Sequence, residues 1–158
     1  ETGWTKMKKI VIGCDNAGVV LKNELIGMLQ EKGVTYEDVG VACETDDTPY
    51  PLIAHRVAEK IIAGNYSYDG ILVCGTGIGM AIAANKHPGI YAAVCHDIYS
   101  AERARLSNNT NILCMGARVI GPELAKKILA EWLVLEFKGG RSLPKVEKIK
   151  EIERMTMK

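Results

Sequence analysis

The sequence predicts an α/β fold, a doubly wound parallel sheet with helices on both faces. Short apolar, β-branched runs alternate with longer stretches of helical period along the chain. Glycines and prolines punctuate the changes of period. No low-complexity linker, block of like charge or internal repeat interrupts the alternation. Strands that alternate with helices pair in parallel through right-handed crossovers, which places helices on both sides of the sheet.

The stretch KKIVIGC (8–14) is too short and too continuously apolar for a surface helix and reads as a strand covered on both faces. Over 17–33, Leu21, Leu25, Met28 and Leu29 form one stripe and Gly33 supplies a helix C-cap. VTYEDVG (34–40) is a second strand, followed by a loop rich in Asp and Thr. Pro51 opens a helix in which Ile53, Val57 and Ile61 share a face, and Gly64 ends it. Strand 70–74, helix 77–87, strand 90–95, helix 99–107, strand 111–115 and a helix over 122–135 complete the alternation, and a last helix starts near Pro144. The apolar segment LAEWLVLEF (129–137) exceeds what a solvent face requires and is expected to form a subunit interface, with simple packing on the sheet as the alternative.

At 158 residues and 47% hydrophobic, the chain suits one domain, expected over 7–158. Residues 1–6 lack periodicity and are expected to be a tag remnant or frayed leader. A formal charge of +1 offers no footprint for nucleic acid, so the expected partner is small. No apolar run approaches the roughly 18 residues needed to cross a bilayer, and a soluble, cytoplasmic protein is expected. The five cysteines include no C-x-x-C pair, which argues against a disulfide framework and a zinc site. Cys14, Cys95 and Cys114 close apolar runs as small buried hydrophobes would. Cys74 differs, because Gly75, Gly77 and Gly79 follow it.

In this architecture ligands bind beyond the carboxyl ends of the strands. The residues expected there are Cys14-Asp15-Asn16, Cys74-Gly75-Thr76, Cys95-His96-Asp97 and Gly116-Ala117-Arg118. A dinucleotide fingerprint would need glycine at Met80, although Asp97 sits about where a ribose-binding acid belongs, so NAD stays as a weaker alternative. A phosphate-cradling Walker loop is excluded, since no lysine follows until Lys86. A cysteine-phosphatase loop would need arginine at Met80. What remains is a set of backbone amides at a helix N-terminus beside a thiol, able to hold an oxyanion while the thiol moves a proton. The alternative is a tight turn around an inert buried cysteine.

The segments GCDNAG (13–18), YP (50–51), ILVCGTGIGMAIAANK (71–86), LSNNTNILCMGARVIG (106–121) and FKGGR (137–141) resemble the ribose-5-phosphate isomerase B and galactose-6-phosphate isomerase family in order and spacing. The resemblance implies a Rossmann-like five-stranded domain and an aldose–ketose isomerase acting through a cis-enediol. It implies no metal or organic cofactor, and a homodimer or tetramer with active sites shared between subunits. Carried over, Cys74 is the catalytic base with Thr76 beside it, and the amides of Gly75, Thr76, Gly77, Ile78, Gly79 and Met80 form the anion hole. Asp15 and Tyr50 flank the substrate, and Asn108 lies near the reacting carbonyl. Arg141 binds phosphate from the partner subunit, with Lys145 in the place of a second arginine and Arg118 as a further cation.

Two departures bear on the substrate. Relatives acting on pentose phosphates usually have histidine where this chain has Asn16, and a ring-opening histidine where it has Ser107. Neither asparagine nor serine exchanges protons near pH 7. His96 is the expected substitute acid, unless it serves a loop hydrogen bond, and its context resembles a sub-branch acting on tetrulose 4-phosphates. A tetrose 4-phosphate has its O4 esterified and closes no furanose, so it needs no such acid. His55 and His87 are expected at the surface. A flavodoxin-like nucleotide-binding module without catalysis is the alternative of another class.

Overall fold

The computed structural model describes residues 7–157, so the expectation for residues 1–6 lies outside the described residues. Five parallel strands, β1 (Ile10–Cys14), β2 (Tyr36–Asp38), β3 (Asp69–Cys74), β4 (Ala92–Val94) and β5 (Ile112–Gly116), lie in the order β2-β1-β3-β5-β4. Six helices connect and follow them: α1 (Val19–Glu31), α2 (Tyr50–Ala63), α3 (Ile78–Ala84), α4 (Ile98–Leu106), α5 (Pro122–Val134) and α6 (Leu143–Thr156). Helices α2 and α3 pack together on one face, and α1, α4 and α5 on the other. The Rossmann-like α/β fold expected from the sequence is the fold observed.

Each central strand is apolar because both its faces are covered: Ile10, Val11, Ile12, Ile71, Leu72 and Val73 have no exposed surface. The predicted stripes face the sheet, with Leu25 and Leu29 of α1 and Ile53, Val57 and Ile61 of α2 fully buried. Three of the boundary differences have a local cause. Residues 16–18 form a 3-10 turn before α1, because the Asp15 carboxylate accepts the Ala17 N–H and closes the turn. Strand β2 has only three residues, since Gly33, at φ +67, and Val34, which donates to Leu29 O, still belong to the helix end. Helix α3 stops at Ala84 because the next side chain, Asn85, is turned to the sheet. Its amide donates to Ala92 O at 2.9 Å and its oxygen accepts the Ala92 N–H at 2.7 Å, along the open side of β4.

Trp132 and Leu133 are buried in the chain's own core, while Val134 at the end of α5 is 67% exposed. At the amino ends of the strands, Arg105 stacks on Trp132, with 3.5 Å between guanidinium carbon and ring centroid. It donates to Asp69 Oδ2 at 2.6 Å, Thr110 O at 2.7 Å and Trp132 O at 3.0 Å. Helix α6 touches the body through Glu153, whose carboxylate accepts from Gly89 N–H and Tyr91 O–H, while Leu143, Ile149, Ile152 and Met155 stay exposed.

Candidate active site

The chain leaves β1 toward β2 on one side and continues from β3 toward β5 and β4 on the other, so the carboxyl ends of β1 and β3 flank a switch in strand order. Cys74 ends β3, opposite Gly116 of β5, and is 5% exposed. The two loops beyond are joined: Ala117 N–H donates to Cys74 O at 2.8 Å and Arg118 N–H to Gly75 O at 3.0 Å. The chain then turns through Gly77, whose φ of +78 suits glycine, into α3. This turn brings the Gly77 N–H to 3.1 Å from the Cys74 sulfur, which accepts it. Thr76 Oγ1 accepts the Ile78 N–H at 3.3 Å, and the first amides of α3 have no carbonyl four residues back. Met80 itself is buried.

Asp15 follows β1 and is tied to β3 by its own N–H, which donates to Val73 O at 3.3 Å. The Tyr50 ring lies over Gly79, where a Cβ would stand 2.5 Å from ring carbons, so the ring's position depends on that glycine. Arg118 extends past Gly75, its Nη1 3.2 Å from where a Cβ would be. Beside it a cleft of about 340 Å3 is lined by Asn16, Ala17, Glu44 and Arg118. His96 follows β4 and its Nε2 accepts the Gly116 N–H at 2.9 Å. That bond requires an unprotonated Nε2, and burial lowers the His96 pKa further below its usual value, against a smaller opposing pull from Asp97. His96 is therefore a neutral imidazole with its proton on Nδ1.

The remaining expected residues are not brought to this crevice within one chain. Ser107 and Asn108 follow α4, which runs away from the carboxyl edge, and Asn108 lines a groove of about 400 Å3 with Tyr91, Ile149 and Ile152. Arg141 sits in a 3-10 turn (Gly140–Ser142) and Lys145 in the first turn of α6. Among the described residues no carboxylate lies within 4 Å of Arg141, Lys145 or Arg118. Cys14, Cys95 and Cys114 are buried, and burial pushes the Cys14 and Cys95 thiols up to about 11. All five cysteines are free. His55 and His87, read separately from the sequence, meet at 2.6 Å between Nδ1 and Nε2. Among the described residues no group of three or more His, Cys, Asp or Glu side chains is placed to share a metal ion, and no helix is long and apolar enough to cross a membrane.

Sequence reasoning missed Glu44, and it missed Lys22, which is 1% exposed and donates to Val41 O at 2.7 Å while pairing with Asp38 at 2.7 Å. The available signal for Lys22 was its place three residues before Leu25 on the apolar stripe of α1.

The model of a family described as Ribose/Galactose Isomerase matches residues 10–149. The chain belongs to the ribose/galactose isomerase family. Within this family it is 53% identical over 143 residues to a D-erythrulose-4-phosphate isomerase of Pectobacterium atrosepticum, covering 90% of this chain and 93% of that one. It is also 53% identical over 147 residues to a ribose-5-P isomerase B of Listeria innocua, covering 92% and 97%. Among solved structures, the ribose-5-phosphate isomerase B of Clostridium thermocellum matches with a TM-score of 0.88 at 44% identity, covering 93% of this chain and 98% of that one.

Proposed function

We propose that the protein is an aldose–ketose isomerase of phosphorylated sugars, of the ribose-5-phosphate isomerase B type, working through a cis-enediol. The observation that carries this reading is the Cys74 sulfur held at 3.1 Å by the Gly77 N–H at the head of α3, in the crevice between β1 and β3. The thiolate of Cys74 takes the proton from C2 of the aldose, and negative charge gathers on O1 beside the amides of the 75–80 loop. A proton then passes from O2 to O1, and the proton held by the sulfur is delivered to C1, giving the ketose. Asp15, Asn16 and Tyr50 flank the sugar, and Arg141 and Lys145 hold the phosphate.

The site is proposed to be completed by a second copy of the chain, as a homodimer or tetramer. The placement of Ser107 and Asn108 away from the carboxyl edge, with the charges of Arg141 and Lys145 unpaired among the described residues, supports this arrangement. So does the exposed apolar surface of Ile78, Ile82 and Tyr99 around the crevice. A second reading of the substrate, erythrulose 4-phosphate to erythrose 4-phosphate, is favoured by His96. A neutral imidazole tied to Gly116 is poorly suited to protonate a ring oxygen, and an open-chain tetrose phosphate needs no such step.

Turnover in D2O with aldose and ketose phosphates of four, five and six carbons tests the reaction. Deuterium should appear on the sugar, and nucleotide affinity without any exchange would instead mark a non-catalytic binding module. Mixing Arg141→Ala with Cys74→Ala chains should recover activity in hybrid dimers. No recovery after demonstrated subunit exchange would rule out the shared site.

A further inference from the structure

The backbone behind the 75–80 amides is held by a side chain. Cys74 stands opposite Gly116 in the β3–β5 ladder, and the Ala117 N–H donates to Cys74 O at 2.8 Å. Neighbouring N–H groups of a strand point to opposite sides, so the Gly116 N–H points toward β4. Strand β4 has ended at Val94 by this level. The acceptor that a longer β4 would supply comes instead from His96 Nε2, at 2.9 Å. This short stretch of β5 is thereby fixed from both sides, by Cys74 O and by an imidazole.

The turn into α3 is seated on the same stretch. A Cβ on Gly116 would stand 2.6 Å from the Thr76 backbone, and one on Gly77 would stand 2.9 Å from the Met115 carbonyl carbon. The two stretches therefore touch with no side chain between them. The Arg118 N–H adds its bond to Gly75 O at 3.0 Å. The amides at the head of α3 thus take their position from residues 115–118, and these take theirs from Cys74 O and His96.

We propose that His96 is a positioning residue of the isomerase site: as a fixed acceptor for the Gly116 N–H, it keeps the 75–80 amides aligned on the oxyanion and passes no proton to the sugar. This rests on the reading of the site given above. Chemistry separates the two roles. To accept from Gly116, Nε2 keeps its lone pair, and the neutral ring carries its one proton on Nδ1. An acceptor can be replaced by another acceptor, whereas a proton donor cannot. Alignment of the amides serves every substrate, because negative charge gathers on O1 whatever the chain length. Ring opening serves only sugars that close a ring, and a tetrose 4-phosphate is not one of them.

The test compares wild type with His96→Ala and His96→Gln, using kcat and KM per folded molecule for aldose phosphates of four, five and six carbons. His96→Ala should lower kcat about tenfold for all three, with KM within twofold, as for an interaction made in the transition state. A 1 Å misplacement costs about 10²-fold, and Cys74 O and Gly75 O still hold the loop in this variant. His96→Gln, whose side-chain oxygen accepts from Gly116, should recover kcat to within about threefold of wild type. In 15N-labelled wild type the His96 Nε2 signal should be that of an unprotonated, hydrogen-bonded nitrogen, and the Gly116 amide should exchange at least about tenfold faster in His96→Ala. A Gln variant as impaired as Ala, or a defect confined to the five- and six-carbon sugars, would make His96 a proton donor and overturn the proposal. So would an Ala variant within twofold of wild type, or a proton found on Nε2. A wild-type protein that isomerises none of these sugars would end the isomerase reading and this role with it, even where the exchange of Gly116 still reports the bond.

Discussion

Arg105, at the amino ends of the strands, and Arg118, at their carboxyl ends, are the same chemical group used in opposite ways. Arg105 is 7% exposed, spreads its donors over Asp69, Thr110 and Trp132, and lies over an indole. Arg118 borders an open cleft with its charge unpaired among the described residues. The difference teaches that the fold divides its polar chemistry by edge. The Arg105 charge at the amino edge is consumed in holding helices α4 and α5 to the sheet, whereas at the carboxyl edge Lys22 is consumed by Asp38 and Val41 O and Arg118 is left open to a ligand. Stability and activity should therefore respond to different substitutions.

The largest expected effect tests the amino edge. Arg105→Ala leaves the Asp69 carboxylate, 4% exposed, without its cation, and removing one partner of a buried pair costs about 3–5 kcal/mol. Urea unfolding should show this loss, while activity per folded molecule is unchanged; a parallel fall in that specific activity would erase the division between edges. Cys74→Ala probes the other edge and should lower turnover by about 100-fold or more, roughly 2.7 kcal/mol of barrier, with little change in melting temperature. Near-normal turnover would remove Cys74 from the mechanism.

A smaller effect is expected from Gly79→Ala. Its methyl group would enter the Tyr50 ring, so the ring must move from the crevice and kcat/KM should fall about tenfold, chiefly through KM. Unchanged kinetics would mean that Tyr50 does not touch the sugar. The smallest effect concerns His96, whose folded pKa lies below its unfolded value of about 6.5. The unfolded chain binds the extra proton first, so the contribution of His96 to stability is complete above about pH 6.5 and is lost as the pH falls below it. Thermal melts between pH 7 and 5 should show a steeper decline in wild type than in His96→Gln, whose side-chain oxygen still accepts from Gly116 but does not titrate. Equal slopes would show that the imidazole is not held neutral.

The stripes of α1 and α2 were legible because Leu21, Leu25, Met28, Leu29, Ile53, Val57 and Ile61 repeat at helical spacing, and the carboxyl-edge residues because each follows a strand. What was not legible shares one cause. Lys22 and Arg105 occupy buried helix positions, yet periodicity counts a charged residue as a break in the stripe, and their burial depends on partners at Asp38, Val41, Asp69 and Thr110 that are distant in sequence. The α5 tail divides for a related reason, since an apolar helix end looks the same in sequence whether its own sheet covers it, as for Trp132, or leaves it open, as for Val134. Glu44 stands in a loop without any period, and only folding brings it to a cleft that Arg118 also lines. For Ser107 and Asn108, spacing within the motif matched the family, but it carried no information on which edge of the sheet they would reach.

The side chain of Asn85 has a consequence for how the molecule behaves in a crowd. A rim strand offers its outward N–H and C=O groups to any extended segment that drifts past, and recruitment of that kind is how sheets grow into polymers. A carboxamide carries the same donor and acceptor as a peptide unit, so by bonding both polar groups of Ala92 it imitates one residue of a sixth strand without extending any farther itself. The rim is thus sealed at that point by a single residue.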